Sequence, residues 1–331
     1  MRSLQLKSGA DWFMLQKRSQ LLQQLRAFFY ERNLIEVDSP ILSPYATLDA
    51  HLDSVQVQLH LPGRVGVHKL YAHTSPEYAL KRLLAQGAGD LFYLGKAFRD
   101  GDLSPRHQPE FTLLEWYRLG FCLQDLIEET FALCRRVLRQ DLLAEVITYR
   151  QLFADYLGID NIHQASAEIC VEVYQQKGLP EVAGVSPTDK VLWEQLLFTE
   201  IIEPHLGQTP QGQAQITAVV GFPSHISSLA QVDPDNPEVV QRVEIYIEGM
   251  ELANGYFELQ QAEDYQAVFE MEQAKRKQLL KSPAPIDQAL LAALKKRPLP
   301  PMSGIALGVD RLLMLQQGAK DIRQVLPFYL C

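Results

Sequence analysis

The chain has 331 residues, 47% of them hydrophobic, which is enough for one large domain or two of ordinary size with a well-filled core. Forty acidic residues against 31 basic ones give a net charge of −9, which argues against broad electrostatic binding to nucleic acid or to anionic membranes. The amino-terminal stretch lacks the apolar segment of a secretory signal, and no apolar run approaches the ~20 residues that span a bilayer. Four cysteines without a CxxC pair indicate reduced thiols, so we expect a cytoplasmic protein.

The first part of the chain predicts one helix and then mostly strands. Apolar residues recur at three- and four-residue spacing over Trp12–Arg32, which predicts a helix that ends near Asn33. The segments "LIEVDSPIL" and "LDSVQVQLH" predict strands, and "KLYAHTSPEYALKRLLAQG" predicts a strand, a turn at Ser75-Pro76 and a helix as far as Gly87. Two further strands, "DLFYLGKAFRD" and "FTLLEWYRLG", flank a loop that is crowded with charge.

The middle of the chain, about residues 123–205, is mainly helical in pattern. The predicted helices are Leu123–Arg139, Tyr149–Leu157, Ala165–Gln176 and Lys190–His205. Strands return in "QITAVVGFP" and in "RVEIYIEGMELANGYFELQ", and the second run is expected to break at Gly249 and at Gly255.

The last part predicts a charged helix over Gln261–Lys281 and then "GIALGVDRLLMLQQG", a strand that passes into a helix. Strands joined by tight or charged loops favour an α+β fold with a mainly antiparallel β-sheet flanked by helices. We expect a single catalytic domain over residues 1–331, with the helical middle inserted between the charged hairpin and the later strands.

Several common nucleotide and hydrolase motifs are missing from the sequence. There is no GxxxxGK[ST], no GxGxxG after a strand, no GxSxG and no HExxH, and the eight histidines lack metal-ligand spacing. A nucleotide would therefore have to be bound by arginines, Mg²⁺ and carboxylates on a sheet.

Two arginines stand where such a site would need them. Arg99 lies where a strand enters the charged loop, and Arg311 lies where the last strand meets its helix. A guanidinium group matches a phosphate in geometry and stays charged, although an ordinary salt-bridge role is the alternative for each.

Four glutamates occur among apolar strand residues, namely Glu244, Glu248, Glu251 and Glu258. A solvated charged face is the alternative interpretation. Clustered carboxylates repel one another unless they share a cation, which Mg²⁺ with ATP or an ammonium substrate would supply. We expect a turn at Asn254-Gly255 to bring Glu251 and Glu258 close together.

These stretches resemble, in the same order along the chain, the lysyl form of class II aminoacyl-tRNA synthetases. "IEVDSPIL" resembles motif 1, "FRDGDLSPRHQPEFTLLEWY" motif 2 and "GIALGVDRLLML" motif 3, and "TSPE" and "GMELANGYFEL" match two further lysyl-type segments. The match of "FPSHISSLAQ" is weaker. The resemblance implies the class II catalytic core, ATP and Mg²⁺ as cofactors, and a homodimer formed through motif 1.

One difference from the lysyl-tRNA synthetases indicates a smaller family within the class. Lysyl-tRNA synthetases carry an amino-terminal anticodon-binding domain, whereas here the motif 1 helix starts at Trp12, and we expect no such domain. This form is similar to the elongation factor P–(R)-β-lysine ligase family, which activates β-lysine with ATP and joins it to the ε-amino group of a lysine on elongation factor P. The resemblance implies that activity, with β-lysine or lysine as substrate, elongation factor P as partner, and neither tRNA nor membrane. An enzyme that charges tRNA and a non-catalytic paralogue that senses amino acid or adenylate are the alternatives.

The resemblance also implies a nucleotide site. Arg99 would contact the α-phosphate and Arg311 the γ-phosphate, as the catalytic residues, and Glu244 and Glu251 would hold Mg²⁺. The remaining residues implied at the nucleotide are Asp100, Gly101, Asp102, Gln108, Leu252 and Gly308, together with Glu251 itself. Gly101 stands where the synthetases have an adenine-contacting glutamate, and Gln108 replaces their usual asparagine. His107 either packs the loop or contacts a ligand.

The amino-acid pocket implied by the resemblance must hold a diamine. Glu115 and Glu258 would receive the side-chain ammonium, Tyr117 adds a hydroxyl, and Glu77 would lie near the other amino group. Ser75 and Pro76 would shape the turn that precedes Glu77. Ala306 stands where lysyl-tRNA synthetases usually have glycine, so its methyl group would exclude α-lysine, unless it is simply a common strand residue.

Overall fold

The helices and strands follow the hydrophobic periodicity of the sequence. The computed structural model describes residues 4–182, 184–226 and 229–331, so Ser227 and Ser228 of the "FPSHISSLAQ" segment lie outside the described residues. The described helices are α1 (Trp12–Tyr30), α2 (Glu77–Ala85), α3 (Leu123–Leu138), α4 (Tyr149–Leu157), α5 (Ala167–Gln176), α6 (Lys190–Leu197), α7 (Ala262–Gln278), α8 (Gln288–Lys296) and α9 (Val309–Gln317). The described strands are β1 (Leu6–Ser8), β2 (Ile35–Glu36), β3 (Leu42–Ser43), β4 (Gln56–Leu59), β5 (His68–Ala72), β6 (Leu91–Phe98), β7 (Glu110–Leu119), β8 (Ala144–Thr148), β9 (Ile216–Pro223), β10 (Val239–Ile247), β11 (Met250–Phe257), β12 (Met302–Gly308) and β13 (Phe328–Leu330).

The chain divides into two compact units. The first contains residues 1–139 and 258–331, and the second contains residues 140–257. The single catalytic domain predicted from the sequence stays a prediction.

Polar caps set the starts of several helices. The Asp11 carboxylate accepts a hydrogen bond from the backbone N–H of Met14 at 2.8 Å and so begins α1, and Thr148 does the same for Gln151 at the start of α4. Gly318 ends α9 in the left-handed conformation that glycine adopts without steric cost.

The first unit is built on strands in the order β2–β6–β7–β12, of which β2 and β6 are parallel and the other pairs antiparallel. Helix α1 packs on this sheet through Phe29, whose ring lies 4.9 Å from that of Phe92 and 5.1 Å from that of Trp116, measured between centroids. Two small sheets, β1–β13 and β3–β5–β4, complete the unit.

The pairing of β7 with β12 fixes which side chains share a face. Glu115 lies opposite Ala306, and Tyr117 lies opposite Gly304. Because directly opposed residues of an antiparallel pair project to the same side, these four residues occupy one face of the sheet.

The second unit has strands in the order β11–β10–β9–β8, with only the β8–β9 pair parallel among its described strands. Its core is aromatic: the ring of Tyr149 on α4 lies 5.0 Å from that of Phe198 and 5.1 Å from that of Phe222. Antiparallel pairs dominate both units, which confirms the predicted α+β fold with a mainly antiparallel sheet flanked by helices.

Two sequence-based predictions about local structure are wrong. Asn254 and Gly255 lie inside β11, and the turn is formed by Glu248 and Gly249, whose φ angles of 51° and 65° suit a tight hairpin turn. The predicted turn therefore does not bring Glu251 towards Glu258. The predicted helix Lys190–His205 is regular only to Leu197 and then continues as a wider turn over Phe198–Ile202 and a tighter one at Glu203–His205.

None of the described helices is both long and apolar enough to cross a membrane. All four cysteines are free; Cys134 and Cys170 are buried, and Cys122 and Cys331 are exposed.

Candidate active site

A cluster of buried and half-buried carboxylates lies on the first unit, where β7 meets the turn before α2. The hydroxyl of Ser75 donates to one carboxylate oxygen of Glu115 at 2.5 Å, and the hydroxyl of Tyr117 donates to the other at 2.8 Å. Ser75 also accepts the backbone N–H of Glu77 at 3.0 Å, while Pro76 stands at the cap of α2. One hydroxyl from the turn before α2 and one from β7 itself therefore hold both oxygens of Glu115 in place.

Lys81 joins two further carboxylates in this cluster. Its ammonium lies 2.6 Å from Glu77 Oε1, one helical turn earlier on α2, and 2.6 Å from Glu258 Oε2. Lys81 and Glu258 are buried, with 0% and 1% of their side chains exposed. The sequence analysis missed Lys81, although a lysine four residues after Glu77 on an otherwise apolar helix face was a usable signal.

The cluster carries more carboxylates than cations. Burial, and then the nearby charge of Glu77, raise the pKa of Glu115 to about 7. Burial together with the repulsion of Glu77 and Glu115 also raises the pKa of Glu258, against the opposite effect of Lys81. Burial alone would lower the pKa of Lys81, but the carboxylates of Glu258 and Glu77 hold it well above its ordinary value. An added ammonium group would relieve this imbalance.

Gly304 shapes the same face of the sheet. A Cβ atom at this position would lie 2.4 Å from a ring carbon of Tyr117 and 2.6 Å from Glu258 Oε1, so a side chain would displace both groups. Ala306 lies opposite Glu115 and places one methyl group on that face. Gly304 was not singled out from the sequence, because a glycine in a strand shows its contacts only once its neighbours are known.

Arg99 follows the last residue of β6. Its guanidinium lies 5.1 Å from the centroid of the Phe111 ring, a distance suited to a cation–π contact. Its Nε is buried and has no hydrogen-bond partner among the residues that the structure describes. A phosphate oxygen is one group that would satisfy such a donor.

The loop between β6 and β7 closes on itself and reaches Arg311. His107 Nδ1 lies 2.8 Å from the Ser104 hydroxyl, and His107 Nε2 lies 2.5 Å from Arg311 Nη2. Because arginine can only donate, His107 accepts at Nε2 and donates from Nδ1. His107 thus packs within the loop, which is one of its two predicted roles, and it contacts Arg311, the residue predicted to bind the γ-phosphate. Its own contact with a ligand stays a prediction.

The other loop residues predicted to contact the nucleotide differ in their exposure. Gly101 has a φ of 86° and is exposed, as is Asp100, while Asp102 is half-buried. Both amide atoms of Gln108 face Leu330: Oε1 accepts its backbone N–H at 2.9 Å, and Nε2 lies 3.4 Å from its carbonyl oxygen. Gln108 therefore fastens β13 to the loop, and its predicted contact with nucleotide stays a prediction.

A buried ion pair holds the start of α9, where Gly308 is the cap and Arg311 the third residue. Asp310 accepts Arg18 Nη1 of α1 at 2.6 Å and the backbone N–H of Thr112 of β7 at 2.7 Å. Three elements thereby meet at one carboxylate next to Arg311, which fixes the backbone that carries the arginine.

The second unit contains the carboxylates predicted to bind a metal. Glu244 is opposite Asn254, and Tyr246 is opposite Glu251, so Leu252 is an extra residue that forms a β-bulge in β11. Without this bulge Glu251 would pair with Ile247 and project to the other face. The bulge therefore places Glu251 on the face of Glu244. Burial raises the pKa of Glu244; the charge of Arg242 opposes this rise, and the charge of Glu251 adds to it.

These residues can accept a divalent cation. The Glu244 carboxylate takes hydrogen bonds from Arg242, Tyr246 and Asn254, which leaves part of its capacity of about four. The buried Asn254 Oδ1 has no hydrogen-bond partner in the described part of the chain and lies on the same face. Within residues 4–182, 184–226 and 229–331 no group of three His, Cys, Asp or Glu side chains could hold a metal alone, and Mg²⁺ is usually bound by one or two carboxylates with substrate phosphates.

Comparison with known proteins decides the family. A family model described as tRNA synthetases class II (D, K and N) matches residues 1–329. The chain belongs to this family.

Several curated proteins that resemble this class II chain carry the same name. It is 39% identical to an elongation factor P–(R)-β-lysine ligase of Vibrio cholerae over 328 residues, which cover 97% of this chain and 98% of the relative. It is 40% identical to the ligase of Vibrio campbellii over 320 residues, 96% of each chain, and 39% identical to that of Klebsiella pneumoniae over 314 residues, 95% of this chain and 94% of the relative. The family resemblance predicted from the motifs is confirmed.

The structure brings many of the predicted residues of this class II member together. In the first unit Ser75, Glu77, Glu115, Tyr117 and Glu258 form one cluster, and Arg311 lies beside the motif 2 loop. In the second unit Glu244 and Glu251 share a face. Lys81, Gly304 and Asn254 were missed by the sequence analysis. The roles of all these residues towards ligands stay predictions.

Proposed function

We propose that this protein is an ATP-dependent, AMP-forming ligase that activates (R)-β-lysine, or lysine, and transfers it to the ε-amino group of a lysine on elongation factor P. The observation that carries the proposal is the amino-acid pocket: the buried Glu115 and Glu258 and the half-buried Glu77 lie together, and among the described residues named here only Lys81 brings an ammonium. Such a pocket stabilises a substrate that brings further ammonium groups. The relatives bearing the ligase name are similar to this chain over nearly their whole length.

The first step joins two anions, so its barrier depends on positive charge and on placement. A carboxylate oxygen of the amino acid attacks the α-phosphorus of ATP, the bond to the β-phosphate breaks, and pyrophosphate leaves. Arg99 stabilises the charge that develops on the α-phosphate, and Arg311 holds the terminal phosphate beside the first turn of α9. The cap residue Gly308 presents no side chain there.

Mg²⁺ would neutralise phosphate charge when bound. Glu244 and Glu251 are the carboxylates that would hold it, with Asn254 Oδ1 as a further oxygen ligand. The neighbouring Leu252, as the bulge residue, sets the face on which Glu251 lies. Asp100, Gly101 and Asp102 would contact the adenosine part of ATP through backbone and carboxylate groups.

The second step forms an amide. A deprotonated lysine ε-amine of elongation factor P attacks the carbonyl carbon of the aminoacyl adenylate, and the bond from that carbon to the phosphate oxygen of AMP breaks. AMP leaves, and the attacking nitrogen releases one proton to solvent. Glu115, Glu258 and Tyr117 keep the side-chain ammonium of the substrate away from this reaction. The methyl group of Ala306 favours an amino group on the β-carbon over one on the α-carbon.

Incubation of the protein with ATP, (R)-β-lysine and elongation factor P tests this proposal by mass spectrometry of the factor. We expect the factor to gain one lysyl residue on one lysine side chain, and no gain when ATP is left out. An unmodified factor together with efficient formation of a lysyl ester on tRNA would instead identify a tRNA-charging enzyme. Absence of ATP–pyrophosphate exchange with either lysine isomer would identify a non-catalytic sensor.

A further inference from the structure

Lys81 is a buried charge that the proposed steps do not themselves require. No part of its side chain is exposed, and its ammonium lies 2.6 Å from a carboxylate oxygen of Glu77 and 2.6 Å from one of Glu258. A buried ion pair is commonly no more stabilising than well-packed apolar side chains of the same volume. A purely structural role could therefore be filled by an apolar residue.

The groups that face Lys81 come from each element packed against it. Glu77 belongs to its own helix, Glu258 follows β11, and Tyr265 on α7 and Tyr117 on β7 present their rings 5.2 Å and 6.0 Å from its Nζ. The Glu115 carboxylate also lies within reach of its charge. Lys81 is the cation among these named groups.

The charges of this cluster can be counted. When ionised, Glu77, Glu115 and Glu258 carry three negative charges, and Lys81 removes one of them. Two negative charges remain. A lysine isomer carries two ammonium groups. Its carboxylate reacts at the α-phosphate of ATP, so it does not enter this charge count.

We propose that Lys81 is a specificity-determining residue that sets the amino-acid pocket at two negative charges, the number that a diamino acid neutralises. This inference rests on the proposed function, because it takes a lysine isomer as the substrate. Lys81 acts through Glu77 and Glu258, so it is a positioning residue and not a catalytic one. With Lys81 replaced by a neutral side chain the ionised pocket would carry three negative charges. Its carboxylates would then bind protons more tightly, and this protonation would compete with binding of the substrate ammonium groups.

Three variants separate this role from a structural one. Glu77→Gln leaves one negative charge, Lys81→Met leaves three, and the double variant restores two. ATP–pyrophosphate exchange with (R)-β-lysine and with α-lysine gives the KM of each isomer, the KM of ATP, and the pH dependence of kcat/KM. Lys277→Met, at an exposed position on α7, is the matched control, and thermal unfolding checks that each variant is folded.

We expect each single variant to raise the KM of the amino acid by about tenfold or more and to leave the KM of ATP within about twofold. The acid limb of the pH profile should move to higher pH in Lys81→Met, because carboxylates that have lost their ammonium bind protons more tightly, and should return in the double variant. The double variant should bind the amino acid more tightly than Glu77→Gln alone. The control should match the wild type.

The opposite order of affinities overturns the role of Lys81: a double variant weaker than Glu77→Gln would show that the two losses simply add. An unmoved acid limb in a folded Lys81→Met overturns it as well. If only Lys81→Met fails to fold, the comparison of Glu77→Gln with the double variant decides; if neither Lys81 variant folds, the residue serves the fold and the inference is wrong. A wild type without exchange for either isomer would instead overturn the proposed function.

Discussion

Glu258 is a buried carboxylate with close neighbours on two sides. It is 1% exposed, pairs with Lys81 at 2.6 Å, and would also be struck by any side chain placed at Gly304. Such a carboxylate has no solvent to replace the partners that it loses, so its charge is coupled directly to whatever cation the pocket holds.

Replacement of Glu258 by Gln should therefore weaken amino-acid binding selectively. Neutralising one member of a buried charge pair costs about 2–5 kcal/mol, so we expect the KM of the lysine isomer to rise roughly 30-fold or more while the KM of ATP changes little. Exchange kinetics with each substrate varied in turn provide the measurement. Glu270→Gln, at an exposed position of α7, should behave as wild type; an equal rise in both KM values would contradict the prediction.

Glu115 predicts a pH dependence of substrate binding. Its pKa is raised to about 7, mainly by burial, and only its ionised form attracts an ammonium. The KM of the amino acid should therefore fall by up to about tenfold between pH 6 and pH 8, since one pH unit changes the ratio of ionised to neutral carboxyl tenfold. Glu115→Gln should raise the KM and flatten this part of the profile. A KM that is constant over this range in the wild type would refute the assignment.

The same carboxyl group of Glu115 should make the ligand-free protein less stable as the pH rises, whereas substrate binding improves. Because its folded-state pKa lies above the ordinary 4.5, its contribution to stability is fully present below that pH and is lost as the pH rises through about 7. Added amino acid should consequently raise Tm more at pH 8 than at pH 6. Equal shifts of Tm at the two pH values would contradict this.

Among the structural elements, α1, β7 and α9 are joined by a buried ion pair. Arg18 and Asp310 are 8% and 2% exposed, and each also bonds to Thr112. The junction lies beside Arg311, so it couples the stability of three elements to the placement of the residue that we propose holds the terminal phosphate.

Arg18→Met should destabilise the protein strongly. Removal of one partner from a buried pair leaves an uncompensated charge, and we expect the free energy of unfolding to fall by about 3–5 kcal/mol, seen as a lower Tm. Arg136→Met, which breaks an exposed pair with Glu31, should change Tm little. Similar shifts for the two variants would show that the buried pair carries no special role.

The elements also show what the sequence could predict. Helices such as Tyr149–Leu157 and the strands of the charged hairpin follow from periodicity, and the polar groups of the pocket follow from motifs that are local in sequence. The bulge at Leu252 was not predictable, because an odd spacing between Glu251 and Asn254 reveals nothing until the partner strand is known. The turn predicted at Asn254-Gly255 was wrong for a related reason: pairing with β10 overrides the turn preference of that dipeptide. Lys81 was missed because its partner Glu258 lies 177 residues further along the chain.

For the whole molecule, the exposed apolar side chains near motif 1 support the predicted homodimer. Trp12 and Ile35 are 74% and 65% exposed at the start of α1 and on β2. Light scattering should give twice the chain mass of 37.6 kDa, and the variant carrying both Trp12→Glu and Ile35→Glu should give the mass of one chain. Val65→Glu, at a fully exposed position between β4 and β5, should leave the dimer intact. A monomeric wild type would refute the prediction.

The bulge in β11 makes the hairpin of the second unit more sensitive to length than to composition. Substitution of Leu252 by another residue keeps the extra position, and so keeps Glu251 on the face of Glu244. Deletion of Leu252 would leave a regular ladder in which Glu251 still lies opposite Tyr246, whereas insertion of one residue without a second bulge would turn Glu251 to the opposite face. Loss of one residue from β11 at this point therefore keeps Glu251 on its face. Gain of one residue would exchange the two faces of the strand between the insertion and the hairpin turn.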